Sequence, residues 1–170
     1  MRLQYWKRMT GMKFEIQYLK CHHTSCISIE RRISIILAVI STGSLAGLFV
    51  NSNYSIIFSI VLVLSQILTA AKPYLPYEYR INELEKGLYY YETIFSEVEN
   101  YWNKINSNTE YNEDEVQQKL EEYLGKWSHI ESSILKKDAL PKKRKFIKKA
   151  DKEKNTYFKT FYGEDENEKQ

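Results

Sequence analysis

The sequence predicts an all-α membrane protein: a two-span helical hairpin with an N-terminal helix before it and a long cytoplasmic helical bundle after it. Three observations predict this. From Ile33 to Ala71 there are 39 consecutive residues without Asp, Glu, Lys, Arg or His, about the length that two crossings of a ~30 Å hydrocarbon layer need. Downstream, apolar side chains recur at alternating spacings of three and four, the mark of a helix with one buried stripe. Basic residues bracket the uncharged stretch on both sides and are absent from its middle, the pattern of a hairpin with both ends in the cytoplasm.

Bulk composition hides this arrangement. Charged residues make up 28% of the chain and the net charge is +3, as in many soluble proteins. That sum conceals three unlike blocks. Residues 1–32 carry seven basic and two acidic side chains, residues 78–122 four basic and twelve acidic, and residues 136–159 eleven basic and three acidic. The first and last blocks favour anionic partners such as lipid head groups or nucleotides, and the middle block repels them.

Residues 1–32 read as a basic and aromatic cytoplasmic helix, with Tyr5, Trp6, Phe14 and Tyr18 among Arg2, Lys7, Arg8, Lys13 and Lys20. Leu3, Trp6 and Phe14 share a face and Ile16 falls off it, a stripe that suits either the inner leaflet or later helices. The spans follow at about 33–50 and 55–71, joined by the polar turn residues of 51–54. Backbone groups have no other partners in lipid, so both spans must be helical. Arg31 and Arg32 before the hairpin and Lys72 and Arg80 after it place both termini in the cytoplasm.

Two polar stripes run through the hairpin. Ser34, Ser41 and Ser44 lie on one face of the first span, and Ser55, Ser59, Gln66 and Thr69 on one face of the second. Polar stripes avoid lipid, so these seven are candidates either for packing between helices or for lining a water-filled path. Two helices do not enclose a pore, so the second reading requires a homo-oligomer. Gly43 and Gly47 form a Gly-x-x-x-Gly pair that permits close helix approach.

After Pro73 and Pro76 break the chain, residues 77–136 carry two seams. Leu84, Leu88, Tyr91, Phe95, Val98, Trp102 and Ile105, preceded by Ile81, alternate by three and four, as do Val116, Leu120, Tyr123, Trp127, Ile130 and Ile134. Asn112 with Glu115 marks the start of the second helix. The seams suit either each other or neighbouring subunits, and the first is taken as the oligomer seam. Beyond Pro141, residues 137–170 form a basic then acidic tail. Lys142, Lys143, Arg144, Lys145, Lys148 and Lys149, interleaved with aromatics, are candidates for gripping phosphate, with anionic lipid or plain solvation as the other readings.

No catalytic signature is present: neither Gly-x-Ser-x-Gly nor a Walker loop nor a dinucleotide fingerprint occurs. Cys21, His22, His23 and Cys26 match no usual zinc spacing. The expectation is a protein that is not an enzyme and holds no metal or cofactor.

The order of parts resembles a known family. Leu3-Gln4-Tyr5-Trp6 opens an Arg-rich helix, Arg31-Arg32 stands at the membrane, Ser41-Thr42-Gly43-Ser44-Leu45-Ala46-Gly47 sits in the first span, and a tiny loop, a second span and a helical tail follow. Over residues 1 to about 140 this is similar to SLATT proteins, the two-transmembrane effectors associated with SMODS nucleotidyltransferases and SLOG sensors in bacterial conflict systems. The resemblance implies a pore-forming effector of the bacterial inner membrane with a nucleotide-generating enzyme as companion. It makes the polar stripes candidate pore linings and the basic tail a place for a nucleotide or oligonucleotide signal. A membrane-anchored scaffold and a holin-like lysis protein are the alternatives.

Overall fold

The computed structural model describes residues 1–50, 55–72, 77–107, 112–134 and 140–163. Side chains of residues 41–50, 55, 58, 77, 78 and 134 are outside that description. The described residues form five helices: α1 (Arg2–Val50), α2 (Ser55–Ala71), α3 (Tyr77–Ser107), α4 (Glu113–Ile134) and α5 (Arg144–Tyr162). They divide into two compact units, Met1–His23 with Glu83–Gln170, and Thr24–Asn82.

The first unit is a four-helix assembly of the start of α1 with most of α3, α4 and α5. Both seams are inside it. Leu84, Leu88, Tyr91, Phe95, Val98, Trp102 and Ile105 are all buried, as are Val116, Leu120, Tyr123, Trp127 and Ile130. This burial is achieved within one chain, so the first seam is core and not the oligomer seam expected of it. The physical reason is that α1 and α5 supply the apolar cover that a neighbouring subunit was expected to bring.

The face of α1 that does this differs from the expected one. Tyr5, Met9, Met12, Ile16 and Leu19 are buried, spaced 4, 3, 4, 3, whereas Leu3 is 56% exposed. The Tyr5 hydroxyl donates to the Val98 carbonyl at 3.0 Å, and its ring stacks on Trp102 at 5.9 Å. Trp6 meets Trp102, Phe158 and Tyr162 with ring centroids 5.1, 5.0 and 5.3 Å apart. Of the two fates open to residues 1–32, packing on later helices is the one taken by Met1–His23.

Local signals start and stop these helices. The Asn112 Oδ1 accepts from the Asp114 amide at 3.0 Å, and Glu113, Asp114 and Glu115 place negative charge in the first turn of α4. Helix α5 begins just beyond Pro141 and ends at Gly163, whose φ of 68° suits a residue without Cβ and lets its amide reach the Lys159 carbonyl at 3.1 Å. Residues 144–162 of the tail are thus an ordered amphipathic helix with Ala150, Lys154 and Phe158 buried.

In the second unit, α2 runs over Ser55–Ala71, and α1, which begins in the first unit at Arg2, continues unbroken to Val50. Among the described residues no helix is long and apolar enough to cross a membrane. At 17 residues, α2 covers roughly 26 Å at 1.5 Å per residue.

Candidate functional site

Among the described residues of unit Thr24–Asn82, aliphatic side chains lie at the surface. Ile35, Ile36 and Val39 of α1 and Ile56, Ile57, Ile60, Val63, Leu64, Ile67 and Leu68 of α2 are between 53% and 73% exposed. Contiguous apolar surface of this kind marks a protein or membrane contact. On α2 these side chains are not scattered. At 100° per residue the seven occupy an arc of roughly 140°. Ser59, Gln66 and Thr69 are also exposed, but they fall in an arc of roughly 80° on the opposite side. The helix therefore carries one apolar outer face and, opposite it, a mixed face on which half-buried Leu62 sits among the three polar residues.

The candidate lining residues divide accordingly. Ser59, Gln66 and Thr69 lie together on the mixed face, with the Thr69 hydroxyl donating to its own helix at the Ser65 carbonyl, 2.8 Å away. Ser41, Ser44, Ser55, Gly43 and Gly47 have side-chain positions outside the described residues. Ser34 has a different task. Its hydroxyl donates to Glu30 Oε1 at 2.9 Å and accepts from Lys72 Nζ at 2.8 Å, while Lys72 also pairs with Glu30 at 3.1 Å. This triad ties the end of α2 to α1. Hydrogen bonds from Lys72 and then Ser34 hold the Glu30 carboxyl below the usual carboxylate range. The triad was not anticipated, although one acid and one base bracketing an uncharged hairpin is a legible sign of it. Ser65, the polar side chain buried on α2 at 1% exposure, was also missed; it donates to the Leu62 carbonyl at 2.8 Å and so needs no partner helix.

In the other unit, helix α5 sorts the cation–aromatic alternation by face. Lys142, Lys143, Arg144, Lys145, Lys148 and Lys149 are all exposed. The aromatics mostly turn inward: Phe158 is buried, and Phe146 meets His22 with centroids 4.7 Å apart. The Tyr157 and Tyr162 hydroxyls both donate to Glu99 Oε1, at 2.6 and 3.0 Å. Burial, reinforced by the Glu99 charge, raises both phenols well above their ordinary pKa. Lys13 Nζ sits 3.4 Å from the Tyr157 ring centroid and 4.4 Å from that of Phe95, a cation held between two aromatic faces. Among the described aromatics of α5, Phe161 is the most exposed, at 67%, with one side of its ring tilted against Tyr157 at 4.7 Å.

Among the described residues, two of the shallow grooves lie on this helix. One of about 540 Å³ is lined by Gln17, Lys149, Lys152, Glu153, Thr156, Tyr157, Thr160 and Phe161. The other, about 380 Å³, is lined by Lys148, Asp151, Lys152, Asn155, Thr156 and Lys159. Of the six phosphate candidates, Lys148 and Lys149 reach these grooves and the remaining four lie outside both. Near the start of the chain, His22 is edge-on to Tyr18 and Phe146, and burial raises the Cys21 thiol pKa. Among the described residues no three His, Cys, Asp or Glu side chains gather as metal ligands would.

Compared with protein-family models, with curated proteins and with solved structures, the chain matches none.

Proposed function

We propose that this chain is a homo-oligomeric, pore-forming membrane effector of a bacterial conflict system. In this reading residues 33–71 insert in the inner membrane and the helical unit of α3, α4 and α5 lies in the cytoplasm as the gate. The observation that carries it is the set of ten exposed aliphatic side chains on α1 and α2, within a stretch of 39 uncharged residues. Leaving such side chains in water forgoes about 25 cal/mol for each Å² of apolar surface, and lipid removes that cost. Helix α2 is near the short limit of about 17 residues for a crossing, a mismatch that local bilayer thinning and the flanking Lys72 accommodate.

The face of Ser59, Gln66 and Thr69, set opposite the apolar arc, supports the conducting part of the proposal. In an oligomer the apolar arc takes the lipid and the mixed face takes the inside. The resemblance to SLATT effectors supports the conflict-system context, and the exposed cations of α5 support a nucleotide or oligonucleotide as gating signal.

Ion flux through liposomes carrying the purified chain tests this. Flux is expected for the wild type, and Gln66→Leu, which removes an amide from the lining, is expected to change unitary conductance several-fold. Absence of flux under every ligand condition, with the protein inserted, rejects the pore. The second reading, an anchored scaffold that conducts nothing, draws on Thr69, whose hydroxyl is satisfied by its own helix and needs no water.

A further inference from the structure

The burial of both seams inside one chain leaves open which surface joins one copy to the next. The charge on the helical unit answers this. On α3, Glu97 and Tyr101 face α4: Lys126 pairs with Glu97 at 3.2 Å and Tyr123 meets Tyr101 at 6.5 Å. Glu99 and Asn103 face α5, both accepting from Tyr162. These two pairs are offset by two residues, roughly 200° around a helix. Helices α4 and α5 therefore cover adjoining flanks of α3's buried stripe, where Tyr91 meets Trp127 and Phe95 meets Tyr157.

The two flanks carry opposite charge. Helix α4 has six acidic and two basic residues, and Glu113, Asp114, Glu115, Glu121, Glu122 and Glu131 are all exposed. Residues 142–162 hold nine basic and two acidic residues. Lys145, Lys148, Lys152 and Lys159, at offsets 0, 3, 7 and 14, are exposed on one face of α5. One molecule thus offers a negative outer face on α4 and a separate positive outer face on α5.

We propose that copies of this chain associate head-to-tail, the cationic α5 flank of one against the acidic α4 flank of the next. Such a contact is heterologous: it uses two different patches per subunit and generates a ring when the rotation closes. Complementary potentials also exclude the wrong pairings, since α4 against α4 and α5 against α5 repel. This inference rests on the oligomeric part of the proposed function and supplies the interface that the buried seams no longer do.

The test is a charge swap on the full chain in a nonionic detergent, with mass read by light scattering. The wild type is expected to form a discrete oligomer that loses mass as salt rises, because exposed charges are screened beyond about 8 Å at 0.15 M salt. The α5 variant Lys145→Glu/Lys148→Glu/Lys152→Glu and the α4 variant Asp114→Lys/Glu115→Lys/Glu121→Lys are each expected to run as monomers with unchanged helicity. Mixing the two variants, or combining all six substitutions in one chain, is expected to restore the oligomer. Wild-type mass in both single-flank variants overturns the proposal, and so does failure of the mixture to reassemble. Loss of binding to anionic vesicles by the α5 variant with its mass unchanged assigns that flank to lipid and overturns it equally. A chain that assembles in this way yet passes no ions refutes the pore reading alone.

Discussion

Lys13 is one side chain through which pH acts on the helical unit. Burial lowers its pKa from an ordinary 10.5 to about 8, although the Glu99 carboxylate pulls the other way. Between those values the unfolded chain keeps a proton that the folded chain has released, so stability rises with pH there. Tyr5, Tyr91, Tyr157 and Tyr162 act in the opposite sense. Burial raises each phenol well above 10, so above about pH 10 the unfolded chain loses protons that the folded chain keeps, and stability falls. All three tryptophans, Trp6, Trp102 and Trp127, belong to this unit, so their fluorescence follows its unfolding selectively. The Cys21 thiol, ordinarily 9.0 and also raised by burial, joins the phenols in lowering stability above about pH 9. The urea midpoint is therefore expected to rise from pH 8 to about 9 and to drop above pH 10. Lys13→Met is expected to flatten the rise and keep the drop; a variant that rises like the wild type removes Lys13 from this role.

The helices differ in how openly the sequence declares them. In α3 and α4 the apolar residues alternate by three and four without interruption, and every described seam residue except Ile81, which is partly exposed, is buried. What they pack against was not legible, because a seam specifies a stripe and not the chain that covers it. In α1 the true stripe is built from Tyr5, Met9, Met12 and Ile16, and its aromatic and thioether members look as much like an interfacial surface as a core. The difference is measurable. Ile16→Ala is expected to destabilise the unit by about 2–5 kcal/mol through the cavity it leaves. Leu3→Ala, on the face first expected to pack, is expected to change stability by under about 0.5 kcal/mol. Equal losses in urea titrations of the two variants would contradict this assignment. Helix α5 was legible as a charge run but not as a packed element, since only the helical period separates its inward Ala150, Lys154 and Phe158 from its outward lysines.

For the molecule as a whole, two kinds of surface must be reconciled: a unit with its apolar residues inside, and a unit with them outside. The first solves its burial problem within one chain; the second does so only if something apolar surrounds it. The uncharged stretch was plain in the sequence because it runs unbroken over 39 residues, and insertion in lipid, where charge is costly, is the reading proposed for it. The Glu30–Ser34–Lys72 triad adds a physical boundary where that stretch ends on both helices. Insertion of residues 33–71 is the claim on which the pore and its gate depend. Flotation of the chain with phospholipid vesicles after an alkaline carbonate wash tests it most directly. The wild type is expected to float with the vesicles quantitatively; recovery in the carbonate supernatant as a monodisperse, detergent-free species would contradict it.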